Sequence, residues 1–339
     1  MIKVGIINVT GYIGMEIARL LHGHPDVELV SVTGRSAAGQ KLGHFLPHLA
    51  DIDLTIEEEL GFVDLAFSAL PHKDSAVACA AVLERGIKVI DVSADFRLKE
   101  ASQYRAWYEH EHPAPKLLKE AVYGLVELNR KKIVSSRIVA NPGCYPTSAI
   151  LALAPAVKAG IIESDIIIDS KSGVSGAGRS LSLKMHFAEV DESVSAYSIE
   201  GHRHLPEIVQ ELNTLNPKLT VSATFVPHLI PMNRGILSTC YARLADAKID
   251  KKKIVDIYKD LYKGERFVKV VDVPPQTKQT LGTNFCLVYP AVDTRTGRLI
   301  VVSCIDNLVK GGAGQAIQNM NLMLGFPEST ALETLALYP

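Results

Sequence analysis

Cys144 stands in "ANPGCYPTSAILAL", residues 140–153, where an Asn-Pro-Gly turn gives way to an apolar stretch of helical character. A thiol attacks as its thiolate, and the start of a helix offers free N–H groups and a partial positive charge that favour an anion. The turn Asn141–Gly143 follows a strand-like run over 137–141. The thiol is therefore expected at the carboxyl end of a strand, the edge where open α/β sheets hold ligands. A presented nucleophile and a buried spacer both fit these residues. The other four cysteines, at 79, 240, 286 and 304, lie in apolar runs and read as core residues.

A nucleophilic thiol works with a histidine. Among eleven, His202 and His204 in "EGHRHLPEI" form the densest group, with Arg203 between them and Glu207 following on a helix. That spacing also suits a metal, but no cysteine lies nearby to complete a zinc set. Acid/base chemistry fits better, and no metal is expected. His228 in "FVPHLIP" lies beside prolines and reads as structural, while His72 in "ALPHKD" falls at a strand end. "SKSGVSGAGRS" (170–180) joins three glycines and four serines to Lys171 and Arg179. It suits an oxyanion or phosphate, or is simply a flexible loop. Arg97 in "DVSADFRL" follows another strand and could grip a carboxylate.

These groups need a scaffold. "KVGIIN" (3–8), "VELVSVTG" (27–34), "VDLAFSAL" (63–70) and "KVIDVSA" (88–94) are short apolar runs separated by helical stretches. They predict a doubly wound parallel sheet of Rossmann type. "GIINVTGYIG" sets Gly11 and Gly14 at the first strand-to-helix turn, where a pyrophosphate would meet backbone amides. The dinucleotide fingerprint asks for glycine at position 8, and Asn8 stands there, the residue that best tolerates left-handed backbone after glycine. Arg35 closes the second strand where an acid would mean NAD, so a bound cofactor would be NADP. A bare turn with a surface arginine is the plainer reading. The second half carries longer β-branched runs with few helices between them. It predicts an α+β domain with a largely antiparallel sheet.

The chain has 339 residues, enough for two domains, and a net charge of -1 from 36 basic and 37 acidic residues. No global field would hold nucleic acid or an anionic membrane. Five cysteines without a CxxC pair point to a reducing compartment. No signal-peptide pattern opens the sequence and no long apolar run crosses a membrane, so a cytoplasmic location is expected.

Taken together, "TGYIG", "SALPH", "VIDVSADFRL", "YGLVELNR", "ANPGCYPT", "SGVSGAGR", "HRHLPEI", "FVPHLIPMNRGI" and "GAGQAIQNMNLMLGF" resemble the N-acetyl-γ-glutamyl-phosphate reductase family, relatives of aspartate-semialdehyde dehydrogenase. The likeness runs from residue 10 to 326. It implies a Rossmann-like NADP domain over 1–143 and 313–339, and an α+β catalytic and dimerisation domain over 144–312. It implies NADPH-dependent reduction of an acyl phosphate, with Cys144 acylated and His202 as acid/base. Substrate contacts would come from Arg97, Ser172, Gly173, His204 and Glu207. NADP(H) contacts would come from Thr10, Gly11, Tyr12, Gly14, Arg35, Ser36, Pro71, Gly314 and Gln315. A homodimer or homotetramer is implied. The sequence departs from the family pattern at Asn8, at Lys73 in place of glycine, and at Val126 in place of proline. A carrier-bound aminoadipyl phosphate or aspartyl phosphate is an alternative substrate, and a non-catalytic NADP sensor is an alternative of another class.

Overall fold

Seven strands form the first sheet: β1 (Ile2–Ile7), β2 (Val27–Thr33), β3 (Ile56–Glu57), β4 (Leu65–Ser68), β5 (Lys88–Asp91), β6 (Val122–Tyr123) and β7 (Ile138–Ala140). All residues of β4 and β7 are buried, as in a parallel sheet covered on both faces. The order is β3-β2-β1-β4-β5-β7-β6, with every neighbouring pair parallel. The computed structural model describes residues 1–246 and 248–339. Residues 1–143 with 312–334 make one compact unit, and 144–311 with 335–339 a second. In that second unit the Leu337 amide donates to Leu281 O.

The order of the first sheet reverses between β1 and β4, the switch point of a doubly wound fold. Helix Tyr12–His22 starts there and buries Ile17, Leu20 and Leu21. After β4 the chain turns through Lys73, whose φ of 77° and ψ of −53° lie in the γ-turn region that L-residues adopt only under strain. Its amide donates to both carboxylate oxygens of buried Asp95 at 2.8 Å, and the Ala76 amide adds a third bond. Asp95 thereby satisfies the free amides of helix Asp74–Glu84 and holds the turn in place. That is how a lysine survives where the family pattern has glycine.

The second sheet contains β8 (Ile162–Gly173), β9 (Ser195–Ala196), β10 (Ser222–Ile230), β11 (Ile236–Leu244), β12 (Val268–Val270), β13 (Cys286–Asp293) and β14 (Arg298–Ile305). Its order is β12-β13-β14-β11-β8-β10-β9. The β8–β10 and β12–β13 pairs are parallel and the others antiparallel. Helix Leu205–Leu215 lies between β8 and β10 in sequence, the crossover that a parallel pair requires.

Helices cover one face of this sheet. Helix Cys144–Ala159 lies nearest, buried from Tyr145 to Val157, so it is apolar nearly all round. Pro155 inside it lacks the N–H that would bond Leu151 O. The Tyr262 hydroxyl donates to that carbonyl instead, and Tyr258 donates to Ala152 O at 2.8 Å. The other face carries half-exposed Tyr241, Tyr289, Ile300 and Val302. No helix of the described residues is long and apolar enough to cross a membrane.

Candidate active site

In the first unit the loop after β1 has the shape of a nucleotide turn. Asn8 adopts φ 68°, the left-handed geometry its type allows. Its side chain donates to Ala69 O at 2.9 Å and accepts from Thr10 Oγ1 at 3.0 Å, tying the loop to the end of β4. A Cβ on Gly14 would lie 2.5 Å from Asn8 O and 2.8 Å from Val9 Cα, so only glycine lets the helix start this close to the strand. Tyr12, Arg35, Ser36 and Pro71 are exposed at neighbouring strand ends, with Arg35 and Ser36 opening a 3-10 turn after β2. This cradle fits a dinucleotide pyrophosphate, with a cation at hand for a ribose phosphate.

Helix Gly314–Leu324 contributes a second feature to the same unit. Gln315 is fully buried and donates to Gly124 O at 2.8 Å, and its Oε1 has no hydrogen-bond partner. A buried acceptor without a donor suits an incoming amide N–H. Asn319 donates to Gly124 O and to Asn141 Oδ1, and Asn141 donates to Gly312 O. Arg97 is buried and spends Nε on Asn141 O and Nη2 on Val92 O. These bonds brace the Asn-Pro-Gly turn.

In the second unit Cys144 is the first residue of its helix and is half-buried. A Cβ built on Gly311 would lie 2.7 Å from the Cys144 Cβ, so the Gly311 backbone forms a wall against the thiol side chain. One turn further along, Ser148 enters a group of four fully buried serines from four elements. Ser148 Oγ meets Ser238 Oγ at 2.9 Å and Ser303 Oγ at 2.6 Å, and Ser238 Oγ meets Ser170 Oγ at 2.8 Å. Ser303 Oγ also donates to Ser148 O. These hydroxyls, on β8, β11 and β14, pin the first turns of the helix to the sheet. Only the i, i+4 relation of Cys144 and Ser148 hinted at them in the sequence.

The histidines gather around aromatic rings. His202 packs against Tyr145, Tyr197 and Phe225 with centroids 5.4–5.8 Å apart, and against His204 at 4.8 Å. Tyr197 OH donates to Tyr145 OH, which donates to His228 O. Burial, with the Arg203 guanidinium second, lowers His202 to about 4, so its ring is neutral near pH 7. The His204 amide donates to His202 Nδ1 at 3.1 Å, which leaves the neutral ring's proton on Nε2. His202 therefore presents a donor. Replacing Arg203 by alanine is expected to raise the His202 pKa while leaving it below the ordinary 6.5, because burial, the larger cause, remains. Histidine NMR titration, assigned with a His202→Asn variant, reads this directly, and an unmoved resonance would exclude the Arg203 effect.

Ser172 is buried and donates to Gly173 O. A Cβ on Gly173 would meet Asn233 O at 2.7 Å and Arg234 N at 2.8 Å, so this glycine is fixed by the close strand-end approach. Strand alternation puts Ser170 and Ser172 on the helix-covered face and Lys171 on the other. There Lys171 pairs with Asp169 at 2.8 Å, beside His228, and does not join Ser172. Glu207 is buried on helix Leu205–Leu215, one turn from half-buried His204. Among the described residues no group of three or more His, Cys, Asp or Glu is arranged for a metal.

Residues 3–136 match the family described as semialdehyde dehydrogenase, NAD binding domain, and residues 144–307 match semialdehyde dehydrogenase, dimerisation domain. In fold the chain is similar to aspartate semialdehyde dehydrogenase II from Vibrio cholerae, with TM-score 0.70, 16% identity, and 96% of this chain and 99% of that one covered. It is also similar to the aspartate semialdehyde dehydrogenase with NADP from Candida albicans, with TM-score 0.67, 18% identity, and 96% and 98% covered. In sequence it is 59% identical to the N-acetyl-gamma-glutamyl-phosphate reductase of Dehalococcoides mccartyi (strain CBDB1) over 338 residues, 99% of each chain. The reductase of Pelotomaculum thermopropionicum is 51% identical, covering 100% of this chain and 99% of that one. With this identity along its whole length, and with the motif cysteine heading a buried helix, the chain belongs to the N-acetyl-gamma-glutamyl-phosphate reductase family of semialdehyde dehydrogenase-type enzymes.

Proposed function

We propose that this chain reduces N-acetyl-L-glutamyl 5-phosphate to N-acetyl-L-glutamate 5-semialdehyde and phosphate, a step of arginine biosynthesis, through a thioacyl intermediate on Cys144. The observation that carries the reading is the full-length 59% identity to a reductase so named, joined to a thiol at a helix start. The Cys144 sulfur attacks the acyl carbon, the carbon–oxygen bond to phosphate breaks, and phosphate leaves with the electron pair. When bound, NADPH would supply the hydride that takes the acyl carbon to the aldehyde level. The electron pair on the oxygen then re-forms the carbonyl as the carbon–sulfur bond breaks, and Cys144 leaves as the thiolate.

His202 keeps its proton on Nε2 and donates it as a hydrogen bond to the oxygen that becomes negative in each addition. A neutral donor suits this role, as its proton stays in place while charge develops. The amide of Cys144 is a second donor of the same kind. Ser172, Gly173, His204 and Glu207 shape the acyl pocket, and Arg97 acts through the turn it braces. Thr10, Gly11, Tyr12 and Gly14 would hold the pyrophosphate, Arg35 and Ser36 the 2′-phosphate that selects NADP, and Pro71, Gly314 and Gln315 the nicotinamide end. The unpartnered Gln315 Oε1 would be free to accept the carboxamide N–H. The first domain is read as 1–143 with 312–334, and the second as 144–311 with 335–339.

Homodimers form through the uncovered face of the second sheet, where Tyr241, Tyr289, Ile300 and Val302 await a partner, and pairing of dimers gives a tetramer. Five free cysteines, four of them buried, suit the reducing cytoplasm. NADPH oxidation tests the reading. N-acetylglutamyl phosphate is expected to exceed aspartyl phosphate and carrier-linked aminoadipyl phosphate by about 100-fold or more in kcat/KM. A greater kcat/KM with either rival would overturn the substrate, and no turnover with any would favour a sensor.

A further inference from the structure

The turn that follows β4, beside the nucleotide cradle, is held at both ends. Asn8 holds Ala69 O, and the Asp95 carboxylate holds the strained Lys73 amide. Asp95 is also the first member of a row of polar groups in the same unit. Its Oδ1 accepts from Tyr104 OH at 2.6 Å, Tyr104 OH meets His110 Nε2 at 3.0 Å, and His110 Nδ1 meets Tyr108 O at 2.6 Å. Each of these three contacts needs one hydrogen. A tyrosine hydroxyl supplies one and a neutral imidazole one, whereas a carbonyl and an ionised carboxylate supply none. The row is one hydrogen short unless it holds an extra proton. His112 next to it has no such shortage. Its Nδ1 accepts from the Ala114 amide and its Nε2 donates to Asp95 O, so a single ring proton serves both contacts. Burial lowers the His112 pKa, in keeping with that neutral ring. Burial, with the bond to Asp95 second, holds the Tyr104 hydroxyl well above its ordinary range, so the phenol keeps its hydrogen.

We propose that Asp95, Tyr104 and His110 share one extra proton, and that the protonated row positions the Ala69–Lys73 turn for a nicotinamide dinucleotide. All three are positioning residues. They act through Lys73, and through exposed His72, whose ring stacks on His110 at 6.0 Å and lies 5.5 Å from Tyr108. With the proton in place every contact is made and the carboxylate grips the Lys73 amide from a fixed position. Without it one contact sets two acceptors against each other, the row shifts, and the strained turn loses its hold. Affinity for the nucleotide therefore falls as rising pH removes the proton. Other ionisable groups surround the row. His72, Lys73 and Asp74 belong to the turn, and Tyr108, Glu109, His112 and the Arg105–Glu111 ion pair to helix Ala101–Tyr108 and the loop after it. Asp91 ends β5, raised to about 6 chiefly by burial, and it reaches the row through Ser93, whose Oγ accepts from the Asp95 amide. None of these supplies the missing hydrogen. The proposal rests on the reading of Pro71 as a nucleotide contact only for its effect on affinity.

Calorimetric titration with NADP+ from about pH 6 to about pH 9, beside the emission of Trp107, tests it. Trp107 is the only tryptophan of the chain and packs against the cluster of Leu98, Tyr104 and Tyr108, so it reads the row without nucleotide or substrate. In the wild type the NADP+ Kd is expected to rise about tenfold across the range, with Trp107 emission changing over the same interval. Tyr104→Phe, which breaks the row in the middle, is expected to bind weakly throughout and to lose both of these pH dependences. His110→Gln offers Tyr104 an amide donor that does not titrate, and it is expected to keep the wild-type low-pH affinity across the whole range. A merely structural role would weaken binding by the same factor at every pH. The titrations of the nucleotide 2′-phosphate and of Asp91 are common to the three proteins, so differences between them isolate the row. Equal pH dependence of Kd in wild type and Tyr104→Phe, or a Kd that still rises with pH in His110→Gln, would overturn the proposal. Emission that titrates while Kd stays flat would overturn the link to the nucleotide. A wild type that binds no NADP+ at any pH would overturn the cofactor site and the positioning role with it, and Trp107 would still report whether the row holds its proton.

Discussion

Exchange of Cys144 for serine is expected to lower kcat by roughly four orders of magnitude or more while leaving NADPH affinity unchanged. The hydroxyl is a poor nucleophile at neutral pH. His202 is occupied at Nδ1 by the His204 amide and carries its proton on Nε2. Mass spectrometry after incubation with the acyl phosphate, without nucleotide, should show one thioacyl adduct on the wild type and none on the variant. NADPH titration by fluorescence should give the same Kd for both. Retention of more than a few per cent of the rate would end the covalent mechanism.

The second large effect is expected at a residue that touches nothing in the chemistry. Gly311→Ala should reduce kcat about 100-fold, with the nucleotide Kd little changed. The added methyl would stand 2.7 Å from the Cys144 Cβ and 3.1 Å from its Cα, closer than carbon atoms approach. Neither is the loose end of a side chain, so the thiol helix or the Gly311 turn must move. One turn further along the same face of the helix the serine group resists that motion, and the sulfur is displaced from its line of attack. Gly23→Ala is the control, since its methyl would meet only Leu20 O at 3.9 Å, and it should keep the wild-type rate. A slower reaction of Cys144 with iodoacetamide in Gly311→Ala would tie the loss to the thiol. A full rate in that variant would show that the wall has room to give.

Much of this was legible in the chain because the relevant physics is local. Asn8 stands where glycine is expected, and the left-handed φ it takes is the one its side chain permits. The Asn-Pro-Gly turn before a helical run located Cys144 at a helix start. The parallel sheet followed from continuously apolar runs of strand length. What stayed hidden depended on contacts between distant residues. Arg97 and Lys171 look alike on paper as cations near a ligand edge. The fold spends the first on the Asn141 and Val92 carbonyls, and strand alternation turns the second to Asp169. Nothing in "GGAGQ" says that Gly311 faces a cysteine 167 residues away, from 311 − 144. Tyr145 and Tyr197 gave no sign of enclosing His202, because ring packing leaves no local pattern. The parallel β8–β10 pair was likewise concealed, since a strand's partner is settled by the crossover between them.

The four buried serines have a meaning for how such a site tolerates change. An apolar helix resting on an apolar sheet is held by area alone, and a small rotation or slide loses little of it. Hydroxyl contacts are directional, and four of them satisfied together admit one setting of the helix about its axis. The joint works like a keyed shaft: it transmits no torque until the key is cut. Loops around the thiol are then free to lengthen, shorten or exchange side chains for a new acyl group, while the sulfur keeps its bearing.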